Sequence, residues 1–145
     1  FDRARKKIKD AQSQKKQIIF ASDNDELNRK ILEKEQINLL LLNQIKRKDR
    51  QKQRDSGFNH VMAKIAKKNN IKIGINLDEI TENSGSKKAE ILSRVSQNIK
   101  LCSKQKIPVD FVGKNKRDIY DLKALGLVLG MPTWMTKTTA IEQSF

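Results

Sequence analysis

A regular alternation between short apolar runs and amphipathic segments constrains the fold of this chain most. The apolar runs occupy residues 18–21, 37–42, 71–77 and 108–112. Pro108 is the first residue of the last run, a position at which a strand tolerates the missing backbone N–H donor of proline. They recur at intervals of roughly 30 residues, the spacing of parallel strands joined by right-handed helical crossovers. The run at 37–42 is almost continuously apolar, which is typical of a parallel strand covered on both faces. The sequence therefore predicts an α/β fold of parallel βα units.

The segments between the runs predict helices of unequal clarity. After Gly57, apolar residues fall at i, i+3, i+4, i+7 and i+8, the spacing of a helix packed on a sheet. Residues 2–16 have little apolar face and predict a solvated helix, and residues 78–88 predict a polar loop. Residues 117–129 predict a helix whose inward side chains are Ile119, Leu122, Leu125 and Leu129. Pro132 is expected to begin a closing helix that contains Trp134 and Ile141.

Charge indicates the class of partner. The chain has 31 Lys and Arg against 17 Asp and Glu, a formal net charge of +14, so the expected partner is a polyanion. Aromatic residues make up only 5%, which favours contact with the phosphates of folded RNA or DNA over stacking on single-stranded bases. The alternative is that lysine is frequent because the genome favours its codons, in which case the charge is incidental.

Two basic segments follow strands. In the first, residues 43–56, six cations face only Asp49 and Asp55, and the second is residues 113–117. Because loops that follow parallel strands emerge at one edge of the sheet, both segments should share a face. The alternative is that each loop is merely solvated. The predicted phosphate contacts are Lys46, Arg47, Lys48, Arg50, Lys52, Arg54, Lys114, Lys116 and Arg117.

The residues needed for chemistry are sparse. His60 is the single histidine, and it either contacts RNA or caps backbone carbonyls. Carboxylates at or after strands are conceivable magnesium ligands, but N-capping and turn formation are their commoner roles. These carboxylates are Asp23, Asp25, Asp78, Glu79 and Asp110. With one histidine and carboxylates of this kind, we expect no metal in this chain. No Gly-rich phosphate loop follows a strand, so we expect no nucleotide cofactor.

Cysteine usage and hydropathy indicate the cellular compartment of the protein. Cys102 is the only cysteine, which excludes a disulfide framework and points to a reducing compartment. It falls on the apolar side of its helix, as expected of a small core residue. No apolar run approaches the roughly 20 residues that span a bilayer, and no secretory signal is seen. The expectation is an intracellular protein without a membrane partner, cytoplasmic in a prokaryote and nuclear in a eukaryote.

The central part of the chain resembles ribonuclease P protein component 3. The residues that carry the resemblance are Arg47-Lys48-Asp49 and then 56–71, Ser-Gly-Phe-Asn-His-Val-Met-Ala-Lys-Ile-Ala-Lys-Lys-Asn-Asn-Ile. It continues through 98–102, 107–109 and 120–131, so that residues 18–131 are covered. The resemblance implies one component 3-like α/β domain over residues 1–145, with a fold like a TIM barrel. Family members have strands before the run at 18–21, and the chain opens with Phe1, so an incomplete or small barrel is expected.

The resemblance also implies a function. The chain would be an RNA-binding, non-catalytic subunit of the endoribonuclease ribonuclease P, whose RNA removes 5′ leaders from precursor tRNA. Its implied partners are the ribonuclease P RNA, with magnesium on that RNA, and protein component 2, with two such pairs forming a heterotetramer. Asn59 and His60 join the expected RNA contacts. Lys123 stands where the family has arginine, which leaves a point charge in place of a bidentate fork.

Two other functions stay open at this stage. The first is a small phosphoesterase that keeps a barrel and uses metals held by carboxylates alone. The second is a protein adaptor whose apolar surface recruits component 2 and whose basic charge is incidental.

Overall fold

Five strands and seven helices make up the described part of the chain. The computed structural model describes residues 1–49, 55–138 and 141–143. The strands are β1 (Ile19–Ala21), β2 (Leu39–Leu42), β3 (Lys72–Asn76), β4 (Val109–Gly113) and β5 (Ile141–Gln143). The helices are α1 (Asp2–Ser13), α2 (Asp25–Lys34), α3 (His60–Lys68), α4 (Leu77–Thr81), α5 (Gly85–Gln105), α6 (Ile119–Val128) and α7 (Thr133–Thr138).

The strands form one sheet in the order β1-β2-β3-β4-β5, and every neighbouring pair is parallel. Ile19 lies opposite Leu39, which in turn lies opposite Lys72. Sequential parallel strands with helical connections are the arrangement of a β/α barrel. Among the described strands β1 and β5 are the two edges and do not pair with each other. The predicted α/β fold, as an incomplete barrel of parallel βα units, is confirmed.

Strand β2 shows why the continuous apolar run forms a central strand. Its four leucines are all buried, and successive side chains of a strand point to opposite faces. Leu40 and Leu42 belong to the main core under the helices, whereas Leu39 and Leu41 pack with Val112 on the other face. Burial of both faces leaves no place for polar residues on this strand.

Side-chain caps fix the points at which helices leave the sheet. Asn24, Asn59, Asn76 and Asp118 each accept a hydrogen bond from a backbone N–H in the first turn of the helix that follows. Such a cap satisfies a donor that the helix itself leaves unpaired. Asn24 comes soon after β1 and Asn76 is the last residue of β3, so two of these helices begin at the carboxyl edge of the sheet.

Four predictions about local structure are wrong or incomplete. Residues 78–88 are not a loop, because Asn76 caps the short helix α4 and α5 begins at Gly85. Ile119 is exposed and not inward, since α6 is apolar on both sides and its periodicity is ambiguous. Ile141 lies in strand β5 and not in the closing helix, because pairing with β4 overrides the local pattern. Helix α1 is not wholly solvated, since Ile8 joins the core.

Within the described residues, no helix combines the length and the apolar character that crossing a membrane requires.

Candidate RNA interface

The loops after β2 and β4 are held at the same edge of the sheet by α4, which follows the strand between them. The Glu79 carboxylate accepts hydrogen bonds from the backbone N–H groups of Gln44 and Ile45, both at 2.8 Å. One residue earlier, the Asp78 carboxylate accepts from the backbone N–H of Lys114 at 3.1 Å. Adjacent residues of one short helix therefore tie both basic segments to the carboxyl edge.

Five of the predicted phosphate contacts are exposed at this edge. Lys46 and Lys48 follow β2. Among the described residues, the ion pair of Lys46 is a long contact of 3.7 Å from its Nζ to Asp23 Oδ2, with both side chains largely solvated. An exposed ion pair of this kind stabilises by little and competes weakly with a phosphate. Three more exposed cations follow β4, namely Lys114, Lys116 and Arg117. Arg50, Lys52 and Arg54 lie outside the described residues.

Arg47 lies inward between these exposed lysines. Its Nη1 and Nη2 donate to the two Asp25 oxygens at 3.0 and 2.7 Å, and its Nε donates to the Asn43 carbonyl at 2.9 Å. Its Nη1 is also 3.9 Å from an Asp55 oxygen. Only 11% of the side chain is exposed. A bidentate pair with carboxylate is the strong geometry for arginine, so this guanidinium anchors the loop to the start of α2.

Arg94 is a second anchor, which sequence reasoning missed. It is buried in α5, where Nε lies 3.1 Å from Asp49 Oδ1 and Nη1 lies 3.3 Å from the Gln44 carbonyl oxygen. A signal was present in the sequence, because Arg94 stands three residues after Ile91 and four before Asn98, on the buried side of the helix. A charge at such a position is almost always paired.

Asn59 and His60 lie at the start of α3. The Asn59 side chain accepts a hydrogen bond of 2.9 Å from the backbone N–H of Met62, and His60, the next residue, is exposed. Just before them, Gly57 has φ +75° and packs directly against the Arg47 guanidinium. Asn59 therefore caps the helix through its side-chain oxygen, and the interactions of Asn59 and His60 with RNA stay predictions.

Four of the five carboxylates at or after strands have partners inside the protein, whereas the Asp23 side chain is largely exposed and lies 3.7 Å from Lys46 Nζ. Asp25 pairs with Arg47, while Asp78 and Glu79 accept the backbone donors described above. Asp110 is fully buried in β4 with one oxygen 3.3 Å from Lys72 Nζ. Across the described ranges, no three residues of the His, Cys, Asp and Glu types are arranged to hold a metal ion.

Burial shifts the pKa values of two ionisable groups. Burial raises the pKa of Glu79 above its ordinary value, and the two backbone hydrogen bonds and Arg47 oppose that rise only partly. Burial also raises the pKa of the Cys102 thiol to about 12. Glu79, whose pKa is raised, is the residue that ties α4 to the β2 loop. The raised pKa of Cys102 is that of an unreactive core thiol, which is the role predicted for Cys102 from the sequence.

Comparison with known proteins identifies one group of relatives. Ribonuclease P protein component 3 of Methanococcus vannielii is 29% identical over 109 residues, which cover 74% of this chain and 44% of that protein. The protein of the same name from Methanocaldococcus jannaschii is 29% identical over 116 residues, 77% of this chain and 47% of that one. The chain thus spans about half the length of the curated relatives it matches. No family model matches it.

A solved structure shares the fold. A chain in a cryo-EM structure of archaeal ribonuclease P with mature tRNA superposes with a TM-score of 0.79 and 24% identity. The superposition covers 94% of this chain and 58% of the other. The resemblance predicted from the residues around Arg47 and Asn59 is thereby confirmed, and the chain is similar to ribonuclease P protein component 3 of archaea.

Proposed function

We propose that this chain is an RNA-binding subunit of ribonuclease P that supports the catalytic RNA in removing 5′ leaders from precursor tRNA. The observation that carries the proposal is the group of five exposed cations on two loops that α4 holds at one edge. We call this group the basic rim: Lys46, Lys48, Lys114, Lys116 and Arg117. Together with the similarity to component 3, it favours a scaffold that neutralises phosphates.

Within this role, Arg47 acts on the loop and not on RNA. All three of its nitrogens already have partners in the protein, and moving it to a phosphate would leave Asp25 without its bidentate partner. Lys46 and Lys48 flank it and point outward. We assign Arg47 to positioning and its two neighbours to phosphate contact. Arg50, Lys52, Arg54, Asn59 and His60 stay predicted contacts.

The chain contributes no active site in this proposal, because Asp25, Asp78 and Glu79 at this edge hold backbone and guanidinium groups, and the exposed Asp23 joins no group of three metal-ligating residues among the described ones. Its partners are the ribonuclease P RNA and protein component 2, and two such pairs assemble into a heterotetramer. Magnesium acts on the RNA and not on this chain. The site of action is the cytoplasm in an archaeal cell.

Reconstitution tests the function. The ribonuclease P RNA and component 2 from the same organism are assayed for cleavage of precursor tRNA with and without the chain. We expect cleavage at the 5′ leader junction to rise when the chain is added at low magnesium. Hydrolysis of a phosphodiester by the chain alone with manganese would favour the phosphoesterase instead. No effect on precursor cleavage would overturn the proposal.

Salt titration tests the interface itself. Removing one phosphate-binding cation should flatten the log–log slope of RNA affinity against salt by about 0.7–0.9. Lys46→Ala with Lys48→Ala should therefore reduce its magnitude by about 1.5. The matched control is Lys16→Ala with Lys104→Ala, two exposed lysines on segments that lead into strands at the opposite edge. Equal changes in the two double variants would mean that the rim is not the interface.

A further inference from the structure

Helix α6 has an exposed apolar face that the basic rim does not use. Of the six large hydrophobic residues exposed among the described positions, four lie on this helix. Tyr120 is 75% exposed and Val128 is 83% exposed, while Ile119 and Leu127 are exposed by 52% and 55%. Scattered single hydrophobic residues need no explanation, but a concentration on one element marks an interaction site.

The geometry of the helix gathers these residues on one side. At about 100° per residue, Tyr120, Ala124 and Leu127 lie near the centre of the exposed side, with Ile119 and Val128 at its margins. We call these five residues the α6 outer face. The inner side has Leu122 and Leu129 in the core and Gly126 against Met131. The helix is thus apolar on two opposite sides, as expected for one packed between two bodies.

The composition of the outer face distinguishes among possible occupants. Asp121 and Lys123 are the only charged residues of α6, so the helix is formally neutral in a chain of net charge +14. Tyr120 is the one residue of the face with a flat ring for stacking, and the other four have neither such a ring nor a phosphate-binding charge, which disfavours RNA. A second copy would bring together two chains of charge +14, whose mutual repulsion opposes a dimer.

We propose that the α6 outer face docks a partner protein through an apolar patch rimmed by carboxylates. The field of the strongly basic chain attracts such a partner, and Lys123, with its ammonium 5.8 Å from the centre of the Tyr120 ring, offers one carboxylate contact at the edge. Lys116 and Arg117 immediately precede the helix. The protein partner therefore lies next to the segment of the basic rim that is assigned to RNA.

This inference rests on the proposed function, because component 2 is the protein partner named there and serves as the probe. Binding of component 2 is measured by calorimetric titration for the wild-type chain and for Leu127→Glu combined with Val128→Glu. Two buried carboxylates in an apolar interface should weaken binding at least tenfold. Tyr120→Glu, a single change at the centre of the face, is a second variant. Val61→Glu is the matched control, since Val61 is 38% exposed on α3.

The outcomes separate the inference from the function. Weakened binding by both α6 variants, with binding by Val61→Glu and thermal stability unchanged, supports the docking face. Equal binding by all variants overturns the face but leaves the RNA-binding role intact. No binding by the wild-type chain removes both the component 2 assignment and the docking face, whereas the salt slope for RNA still tests the rim. Self-association of the wild-type chain that the α6 variants abolish would identify a second copy as the occupant and overturn the proposal.

Discussion

Replacement of Arg94 by methionine tests whether the β2 loop is anchored from within. The change removes the donors to Asp49 and to the Gln44 carbonyl but keeps an unbranched stem of similar volume in the core. A hydrogen bond to a charged group contributes about 1.5–3 kcal/mol. The Asp49 side chain is 41% exposed and can regain water, so the full penalty of a stranded buried charge, about 3–5 kcal/mol, does not apply. We expect Arg94→Met to lower the free energy of unfolding by about 2 kcal/mol.

Urea denaturation followed by circular dichroism measures this loss. The matched control is Arg29→Met, which breaks the exposed i,i+4 pair with Glu33 and should cost no more than about 0.5 kcal/mol. Arg94→Met should also bind RNA more weakly than the wild-type chain at a fixed salt concentration. Arg94 itself is buried, but its loss frees the loop that carries Lys46 and Lys48. If Arg94→Met and Arg29→Met have equal stability, the anchoring role of Arg94 is refuted.

Three further predictions concern single groups. Glu79 has a raised pKa in the folded chain, so its stabilising contribution is full below the ordinary carboxyl pKa of 4.5 and is lost as pH rises through the raised value. The wild-type chain should therefore lose stability relative to Glu79→Gln across that interval in urea titrations, and a constant difference would contradict the shift. Gly57→Ala should lower the free energy of unfolding by about 1–3 kcal/mol, because Gly57 has a positive φ and an added Cβ displaces Arg47. The loss should exceed that of Gly85→Ala, since Gly85 also has a positive φ but no neighbour within 4 Å of an added Cβ. This excess should vanish in an Arg47→Ala background. Cys102 should react with a thiol reagent at pH 8 only after unfolding, and reaction of the native chain would show that the helix α5 packing opens.

The sheet and most of the helices could be predicted because their signals are local. The four leucines of β2 and the apolar spacing after Gly57 each fit one type of element, and the structure has both. Prediction failed where local signals were balanced or masked. Helix α6 has apolar residues on both sides, so nothing in its sequence distinguishes Leu122 in the core from Leu127 at the surface. Strand β5 depends on an edge of β4 that only the folded sheet provides.

The placement of the cations depends on contacts that are remote in sequence. Arg47 pairs with Asp25, 22 residues earlier, and Arg94 donates to the Gln44 carbonyl 50 residues away. No period or motif within the loop indicates such partners. The one usable signal was a charge among the buried positions of α5. The placement of the basic loops at one edge was thus predictable, whereas the division of their residues between anchors and exposed charges was not.

The division of basic residues between anchors and exposed charges affects how RNA affinity is estimated from the charge of such a protein. Lys46, Arg47 and Lys48 are consecutive cations, yet the middle one is bound to a carboxylate and contributes no free charge to the rim. In the proposed role, a count of basic residues would therefore overestimate the phosphates contacted, and the salt slope should follow the exposed members alone. Removal of Arg47 should lower RNA affinity through loss of loop order while changing the salt slope less than removal of both neighbouring lysines. A slope change as large as that of the lysine pair would return Arg47 to the set of direct contacts.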